Sequence, residues 1–351
     1  MLTFLILLAS VLRFIPSTLL AIIATTIYLL LIHHLRHHRS TTIPQTHNLP
    51  TRASLSTMTA DQAHFILKDL VELEFPKTMG LSLVFALFRT YAIPSISSLL
   101  IATGELSRPE TASKRTADLG MLVLEFCLNA PSSERAMEAV ARMNFLHSAY
   151  VQAGKIRNED LVYTLAILAS EPVRSMGLYE WRNLTDVEIC ASATFWKSMG
   201  DRMGVDYSML PGAKQGWCDG LQWYEEIVTW ADQYEEAQMV PAEMNRRMVS
   251  GYVDLVFLNL PKRIEVFGRY IVAFMGGERW TRAVMFEPPP PAFRLLAICF
   301  LVIRKLVLRH LSLPRFIRRI HISAEKEANG KYSPREYLSH PWYVKPTFER
   351  R

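Results

Sequence analysis

The chain has 351 residues, half of them hydrophobic, with 39 Lys and Arg against 33 Asp and Glu and a formal net charge of +6. This length and composition allow one large body with a packed core. Much of the excess positive charge lies beside apolar segments near the two ends, which indicates a membrane as partner. The body has no basic stripe interleaved with aromatic residues, which argues against nucleic acid as a partner.

The N-terminal segment is predicted to anchor the chain in a membrane. Phe14–Ile32 contains no charged side chain and would span roughly 28 Å as a helix, enough for the hydrocarbon core of a bilayer. The basic block His33–Arg39 follows where a cleavable signal would have small residues, so we interpret residues 1–39 as an uncleaved single-pass anchor. The block also favours a cytosolic location for the rest of the chain. Its four histidines could bind a metal, but a solvated juxtamembrane segment is the favoured interpretation.

The body of the chain shows helical periodicity. Residues 40–59 are rich in Ser, Thr and Pro and are predicted to be a linker. Residues 60–290 have no sustained alternation bounded by Asn-Gly or Asp-Gly turns, so we predict a single all-α domain. Caps such as the capping box Thr185–Glu188 support the helix starts. The predicted helices are Ala60–Leu73, Gly80–Tyr91, Pro94–Gly104, Pro109–Asn129, Ser133–Gly154, Asn158–Ala169, Thr185–Met203, Cys218–Glu236, Ala242–Val256, Lys262–Ala273 and Phe293–His310.

Residues 291–320 are predicted to form an amphipathic helix at the membrane interface. The apolar stretch Phe293–Leu308 is interrupted by Arg294, Arg304 and Lys305, so its uncharged run is too short to span a bilayer. Such a helix can lie in the interface and close over a lipid-accessible pocket. An ordinary core helix with a basic outer face is the alternative. Residues 321–351 are predicted to be a polar tail.

Several kinds of chemistry have no motif in this sequence. It contains no Gly-rich phosphate loop, no HExxH, no ferritin-like ExxH pair, no GxSxG and no cysteine-ligand loop of the thiolate-heme type. The acidic magnesium motifs of helical terpene synthases are also missing. The four cysteines form no CxxC pair, and we interpret Cys127 and Cys190 as buried free thiols.

His147 is the one histidine between residues 65 and 309, and it lies inside a predicted apolar helix. Met143, His147 and Tyr150 are spaced so that they share one face of that helix. A histidine on such a face can enter a buried pocket and bind a metal. Alternatively, it can pack in the core and donate a hydrogen bond to a carbonyl. The residue pattern alone favours this second interpretation.

Arg115 and Asp118 are a charged pair at i, i+3 in the preceding predicted helix, between apolar turns. Buried charges need partners. A heme would supply one kind of partner, because its propionates pair with arginine and its iron binds imidazole.

Seven strings between residues 86 and 200 carry a family resemblance when they are taken in order. They are ALFRTYAIP at 86–94, KRTAD at 114–118, RMNFLHS at 142–148, AGKIRNEDLVYT at 153–164, EP at 171–172, YEWR at 179–182 and WKSMG at 196–200. Together they resemble the fungal MpaB family, the ER-bound oxygenase type found in mycophenolic acid biosynthesis. The resemblance covers roughly residues 61–290 and rests on the order of many strings rather than on one diagnostic motif.

The resemblance implies a helical domain that binds heme b. The family is similar in turn to the bacterial latex-clearing protein, which is a rubber oxygenase. In the rubber oxygenases, the arginine of an Arg-x-x-Lys-Thr string lies near the heme, and a histidine later in the sequence is the proximal ligand. Arg115 and His147 match that arginine and that histidine at a similar separation. This implies His147 as the metal ligand, Met143, Tyr150 and Arg115 as cofactor-binding residues, and Arg115 and Asp118 as catalytic residues. Asp118 stands at the lysine position.

The threonine position of the same string is Leu119, which cannot offer a hydrogen bond to bound oxygen. The implied function is that of an ER-membrane oxygenase that activates dioxygen at histidine-ligated iron and attacks an alkene in a lipophilic prenyl or polyketide chain. A non-catalytic helical membrane protein that keeps the scaffold is one alternative, and a cofactor-free cyclase or isomerase is another.

Overall fold

The computed structural model describes residues 16–106, 109–256, 262–326 and 332. These residues form twelve α-helices, two short 3₁₀ turns at Ala53–Thr57 and Pro211–Ala213, and a π-helical turn at Leu70–Glu74; no β-strand occurs among them. The helices are α1 (Ser17–Thr46), α2 (Ala60–Asp69), α3 (Pro76–Thr90), α4 (Pro94–Thr103), α5 (Pro109–Leu128), α6 (Glu134–Gln152), α7 (Asn158–Tyr179), α8 (Asp186–Arg202), α9 (Gly220–Gln238), α10 (Glu243–Val256), α11 (Lys262–Ala283) and α12 (Pro291–His310). The predicted all-α fold is confirmed.

Local chemistry explains several helix starts. The Thr185 side chain caps α8, and the Glu188 carboxylate accepts a hydrogen bond from the Thr185 backbone N–H, which completes the predicted capping box. Ser133 caps α6 through the backbone N–H of Ala136. Such caps satisfy backbone N–H groups that have no partner within the helix.

The core lies where α3 packs on α7, α2 packs on α8, and α9 packs on both α7 and α8. Trp223 and Trp280 are fully buried there, and the Trp280 indole donates to the carbonyl of Phe88 at 3.0 Å, which ties α11 to α3. Helices α5 and α6 pack chiefly on each other, and α10 joins α5 to α4 and α11. The α5–α6 pair is therefore a flank of the core rather than its centre.

Helix α7 is longer than predicted, because it continues past Ala169 through Pro172 to Tyr179. A proline inside a helix removes one backbone hydrogen bond. Here the helix is held on both sides by α3 and α8, and the hydroxyl of Ser192 donates to the Ala169 carbonyl at 3.2 Å. Packing against α3 and α8 thus keeps the helix continuous through Pro172.

The prediction of a linker from residue 40 is wrong for its first part, because α1 continues to Thr46. The hydroxyls of Ser40 and Thr42 donate to backbone carbonyls one turn back, so they do not compete with the helix. Beyond the helix end, Leu49 and Leu55 are buried in the core. The segment is therefore packed onto the body.

Helix α12 has no buried residue, and most of its residues are exposed. Leu296, Phe300 and Ile303 are each more than 60% exposed. The alternative of a core helix is therefore wrong. Helix α12 packs beside α1. By length and composition, α1 is the one straight helix in the described ranges that could span a membrane alone.

Candidate functional site

The α5–α6 pair brings Arg115 and His147 together. Arg115 lies on α5 and His147 on α6, both half-buried, and the guanidinium charge acts on the imidazole ring. Met143, one turn before the histidine, is buried in the core, and Tyr150, one turn after it, is half-buried. The helix face that the spacing predicts is therefore formed.

The electrostatics of this pair favour a neutral imidazole. Burial lowers the pKa of His147 below its usual 6.5, and the nearby positive charge of Arg115 lowers it further. A neutral ring keeps a lone pair on one nitrogen, which is the form that binds metals.

Two tyrosines face the same region. Burial raises the pKa of Tyr91, at the end of α3, with Tyr252 adding to the rise and Arg115 opposing it. Burial also raises the pKa of Tyr252, on α10, where the Thr116 side chain opposes the rise. Both phenols therefore stay protonated, and Arg115 lies among a histidine and two neutral tyrosines.

Asp118 does not join this group, and the predicted buried pair with Arg115 is not formed. Its carboxylate instead accepts from Lys114 Nζ at 2.8 Å, and both side chains are about half exposed. Leu119, the next residue, packs against the hydrophobic core. The helix turn after Arg115 thus presents one solvated ion pair and one apolar side chain.

The site offers two donors of the kind that a heme uses. Within the described residues, neither ring nitrogen of His147 makes a hydrogen bond to the protein, and Arg115 has no carboxylate within ion-pair distance. An imidazole with a free nitrogen and an unpaired guanidinium are the donors that an iron and a propionate need. The described part of the chain contains no group of three His, Cys, Asp or Glu side chains that could hold a metal ion.

A second internal histidine, His64 on α2, was not predicted as buried from the sequence. It is 2% exposed and packs beside Phe195, and both of its ring nitrogens lack a hydrogen-bond partner. Burial, followed by the charge of Lys68, lowers its pKa. The helical spacing of Ala63, Ile66 and Leu67 around it could have revealed its position.

A buried ionic network was also missed. Arg89 on α3 donates to both carboxylate oxygens of Glu235 on α9, at 2.6 and 2.7 Å, and the hydroxyl of Tyr163 donates to Glu235 at 2.8 Å. Glu171 lies 3.7 Å from Arg89. Burial alone would lower the pKa of Arg89, but the carboxylates outweigh it and raise the pKa. The arginine in the string ALFRTYAIP was the available signal.

Tyr163 and Trp181, which belong to two of the strings that carry the resemblance, are core residues. Tyr163 is fully buried and Trp181 is 3% exposed.

Fold and site together define an all-helical protein with one apolar N-terminal helix and an imidazole–guanidinium pair on its flank. No family model matches the chain. It is 41% identical over 326 residues to ER-bound oxygenase mpaB' of Penicillium brevicompactum, covering 92% of this chain and 77% of that protein. A second protein of that species, ER-bound oxygenase mpaB, is 39% identical over the same shares. ER-bound oxygenase mpaB of Penicillium roqueforti is 44% identical over 259 residues, 74% of this chain and 87% of its own length.

The chain therefore belongs to the MpaB family of ER-bound oxygenases and is an oxidoreductase. This confirms the resemblance carried by the seven strings. The similarity to the rubber oxygenases stays a prediction.

Proposed function

We propose that this protein is a heme-dependent oxygenase that acts on an alkene in a lipophilic prenyl or polyketide chain, within secondary metabolism. The observation that carries the proposal is the meeting of Arg115 and His147. They lie on two consecutive helices, and the charge of one acts on the ring of the other. Family membership supports the oxygenase class.

His147 would hold the iron of heme b through its free ring nitrogen. The depressed pKa of the ring keeps the imidazole neutral at physiological pH, so ligation does not compete with a proton. Arg115 would pair with a propionate or orient the polar end of the substrate. Met143 and Tyr150 would pack against the ring plane on either side of the histidine.

Heme iron, when bound, supplies the activation of dioxygen. The protein's share is to exclude water and place the alkene. Leu119 and the apolar turns of α5 and α6 provide a dry wall. Because burial raises the pKa of Tyr91 and Tyr252, both phenols would keep their protons and act as neutral hydrogen-bond donors near Arg115. Whether the double bond is cleaved or only oxygenated depends on the shape of the loaded pocket.

The proposed setting is the ER membrane, with α1 as a single-pass anchor and the helical domain on the cytosolic side. The basic flank of α1 supports this orientation. Helix α12, with its exposed apolar side chains, would lie in the interface beside α1. A prenyl or polyketide chain partitions into the bilayer, so it would reach the domain from that surface.

Family membership favours this function over a cofactor-free cyclase and over a non-catalytic scaffold. The decisive experiment compares His147→Ala with His64→Leu in full-length protein purified in detergent. We expect the wild type and His64→Leu to show a Soret band and a positive pyridine hemochrome assay, and His147→Ala to lose both. Circular dichroism verifies that each variant is folded. A wild type without heme, or heme loss that follows His64 instead, would overturn the proposal.

A further inference from the structure

A cavity lies between α10 and α11, away from His147 and Arg115. It has a volume of about 430 Å³ and is half open to solvent. Ser250 lines it, whereas Tyr252, two positions later, faces the region of Arg115. Two residues correspond to roughly 200° around a helix, so α10 separates the two places. The lining consists of Arg246, Ser250, Val266, Arg269, Tyr270, Met285, Phe286 and Glu287.

The lining combines an apolar wall with two cations. Arg246 pairs with Glu243 at 2.6 Å, and Arg269 pairs with Asp254 at 3.1 Å. All four of these side chains are 39–59% exposed. Exposed ion pairs contribute little to stability, so an incoming phosphate can compete with the carboxylates for both guanidiniums.

The cavity opens onto an apolar surface that leads to the membrane anchor. Val266, Phe267 and Ile271 on α11 are each about half exposed. The ring of Phe293, at the start of α12, lies 5.6 Å from that of Tyr270. Apolar side chains then continue along α12, as shown in the fold.

The far end of that surface meets α1. The Tyr28 hydroxyl of the anchor donates to the carbonyl of Leu311, just after α12, at 2.9 Å. Tyr28 lies near the end of the uncharged stretch. The apolar surface thus connects the cavity to the helix that is proposed to anchor the chain.

We propose that the α10–α11 cavity binds the headgroup of an anionic glycerophospholipid. The phosphate diester lies between Arg246 and Arg269, and an acyl chain follows Val266 and Tyr270 towards the bilayer. Glu287 accepts a hydrogen bond from a headgroup hydroxyl, which favours an inositol or glycerol headgroup over choline. Bound lipid fixes the domain on the membrane surface independently of the chemistry at His147.

The test uses the full-length protein in mixed detergent micelles containing phosphatidylinositol and phosphatidylcholine, with native mass spectrometry to count bound lipids. The double variant Arg246→Gln/Arg269→Gln removes both cations from the cavity. The matched control Arg247→Gln/Arg282→Gln removes two exposed arginines of the same two helices that do not line it. We expect the wild type and the control to retain phosphatidylinositol preferentially, and the cavity variant to lose that preference by about tenfold or more.

Three results of the lipid measurement would overturn the proposal. They are no preference for phosphatidylinositol in the wild type, an equal loss in the control, and full retention in the cavity variant. A parallel arm adds inorganic phosphate and follows hydrogen exchange of α10 and α11. Protection by phosphate as strong as that by lipid would assign the cavity to a free anion and would also contradict a lipid site.

Discussion

The positive charge of Arg115 on α5 and burial on α6 act in the same direction on His147, and both lower the pKa of its imidazole. This cation keeps protons away from the ring. The same cation attracts a carboxylate to its side. The proposed heme would match both groups, since it presents an iron and propionates within one rigid molecule.

Arg115→Gln removes the charge that depresses the His147 pKa. With the charge gone, that pKa rises, so protons compete with iron at a higher pH than in the wild type. We therefore expect the variant to release heme at a higher pH during an acid titration followed by the Soret band. Arg142→Gln, an exposed arginine on α6, is the matched control and should titrate like the wild type. An unchanged release pH in Arg115→Gln would contradict the electrostatic link.

Asp118→Asn tests the catalytic role predicted from the sequence. Because Asp118 is half exposed and pairs with Lys114, we expect the free energy of unfolding to change by no more than about 0.5 kcal/mol. Heme content should also be unchanged. Oxygen consumption with a prenylated substrate then decides the role. A large fall in the turnover rate at constant stability would restore Asp118 to the catalytic group.

The buried network around Arg89 should dominate stability rather than chemistry. Glu235→Gln leaves Arg89 without its bidentate partner at a site where Glu235 is 3% exposed. Breaking a buried ion pair from one side costs about 3–5 kcal/mol. Thermal unfolding in detergent should show a clear loss. Glu243→Gln breaks an exposed pair with Arg246 and should leave the unfolding midpoint unchanged.

His64 should make the fold sensitive to acid. Burial holds its folded pKa below the unfolded value of about 6.5, so the unfolded chain binds the proton more readily. Stability is therefore full above the unfolded pKa and falls as the pH drops from there towards the folded pKa. His64→Leu should lose less stability than the wild type between neutral and mildly acidic pH. The exposed His310→Gln should follow the wild type, and identical pH profiles for His64→Leu and the wild type would contradict the inference.

The sequence predicts much of the fold because helix periodicity and caps act locally. Thr185 and Ser133 start helices as their side chains require, and most predicted helices differ from the observed ones by a few residues at each end. The errors arise where distant contacts decide. Packing of α3 and α8 carries α7 through Pro172, and burial of Leu49 and Leu55 turns a Ser/Thr/Pro-rich segment into part of the body.

In the candidate site too, the sequence predicts features set by local spacing but not those set by distant contacts. The shared face of Met143, His147 and Tyr150 follows from helical spacing. The partner of Asp118 does not, because Lys114 and Arg115 both lie within one turn of it and only the tertiary setting selects between them. Helical spacing indicates the buried face on which His64 lies, but its contact with Phe195 on α8 comes from a distant part of the chain. The partners of Arg89 lie more than 80 positions away, which no local pattern reports.

The position of α12 can be measured with a cysteine that the chain already carries. Cys299 is free and exposed in the middle of α12, and Cys218 is free and exposed on the domain before α9. We would label Cys218→Ser and Cys299→Ser proteins, each at the remaining exposed thiol, with an environment-sensitive fluorophore in nanodiscs. The half-buried Cys127 and the buried Cys190 should react slowly, because burial raises the pKa of both thiols.

If α12 lies in the membrane interface, the fluorophore on Cys299 should emit as in an apolar medium and be quenched by spin-labelled lipid. The fluorophore on Cys218 should report water in the same nanodiscs. Replacing Leu296 and Phe300, both more than 60% exposed, with serine should shift the Cys299 signal towards water without lowering the unfolding midpoint, since neither side chain packs in the core. A water-like signal at Cys299 in the unsubstituted helix would place α12 away from the bilayer. It would also remove the membrane-facing surface onto which the α10–α11 cavity opens.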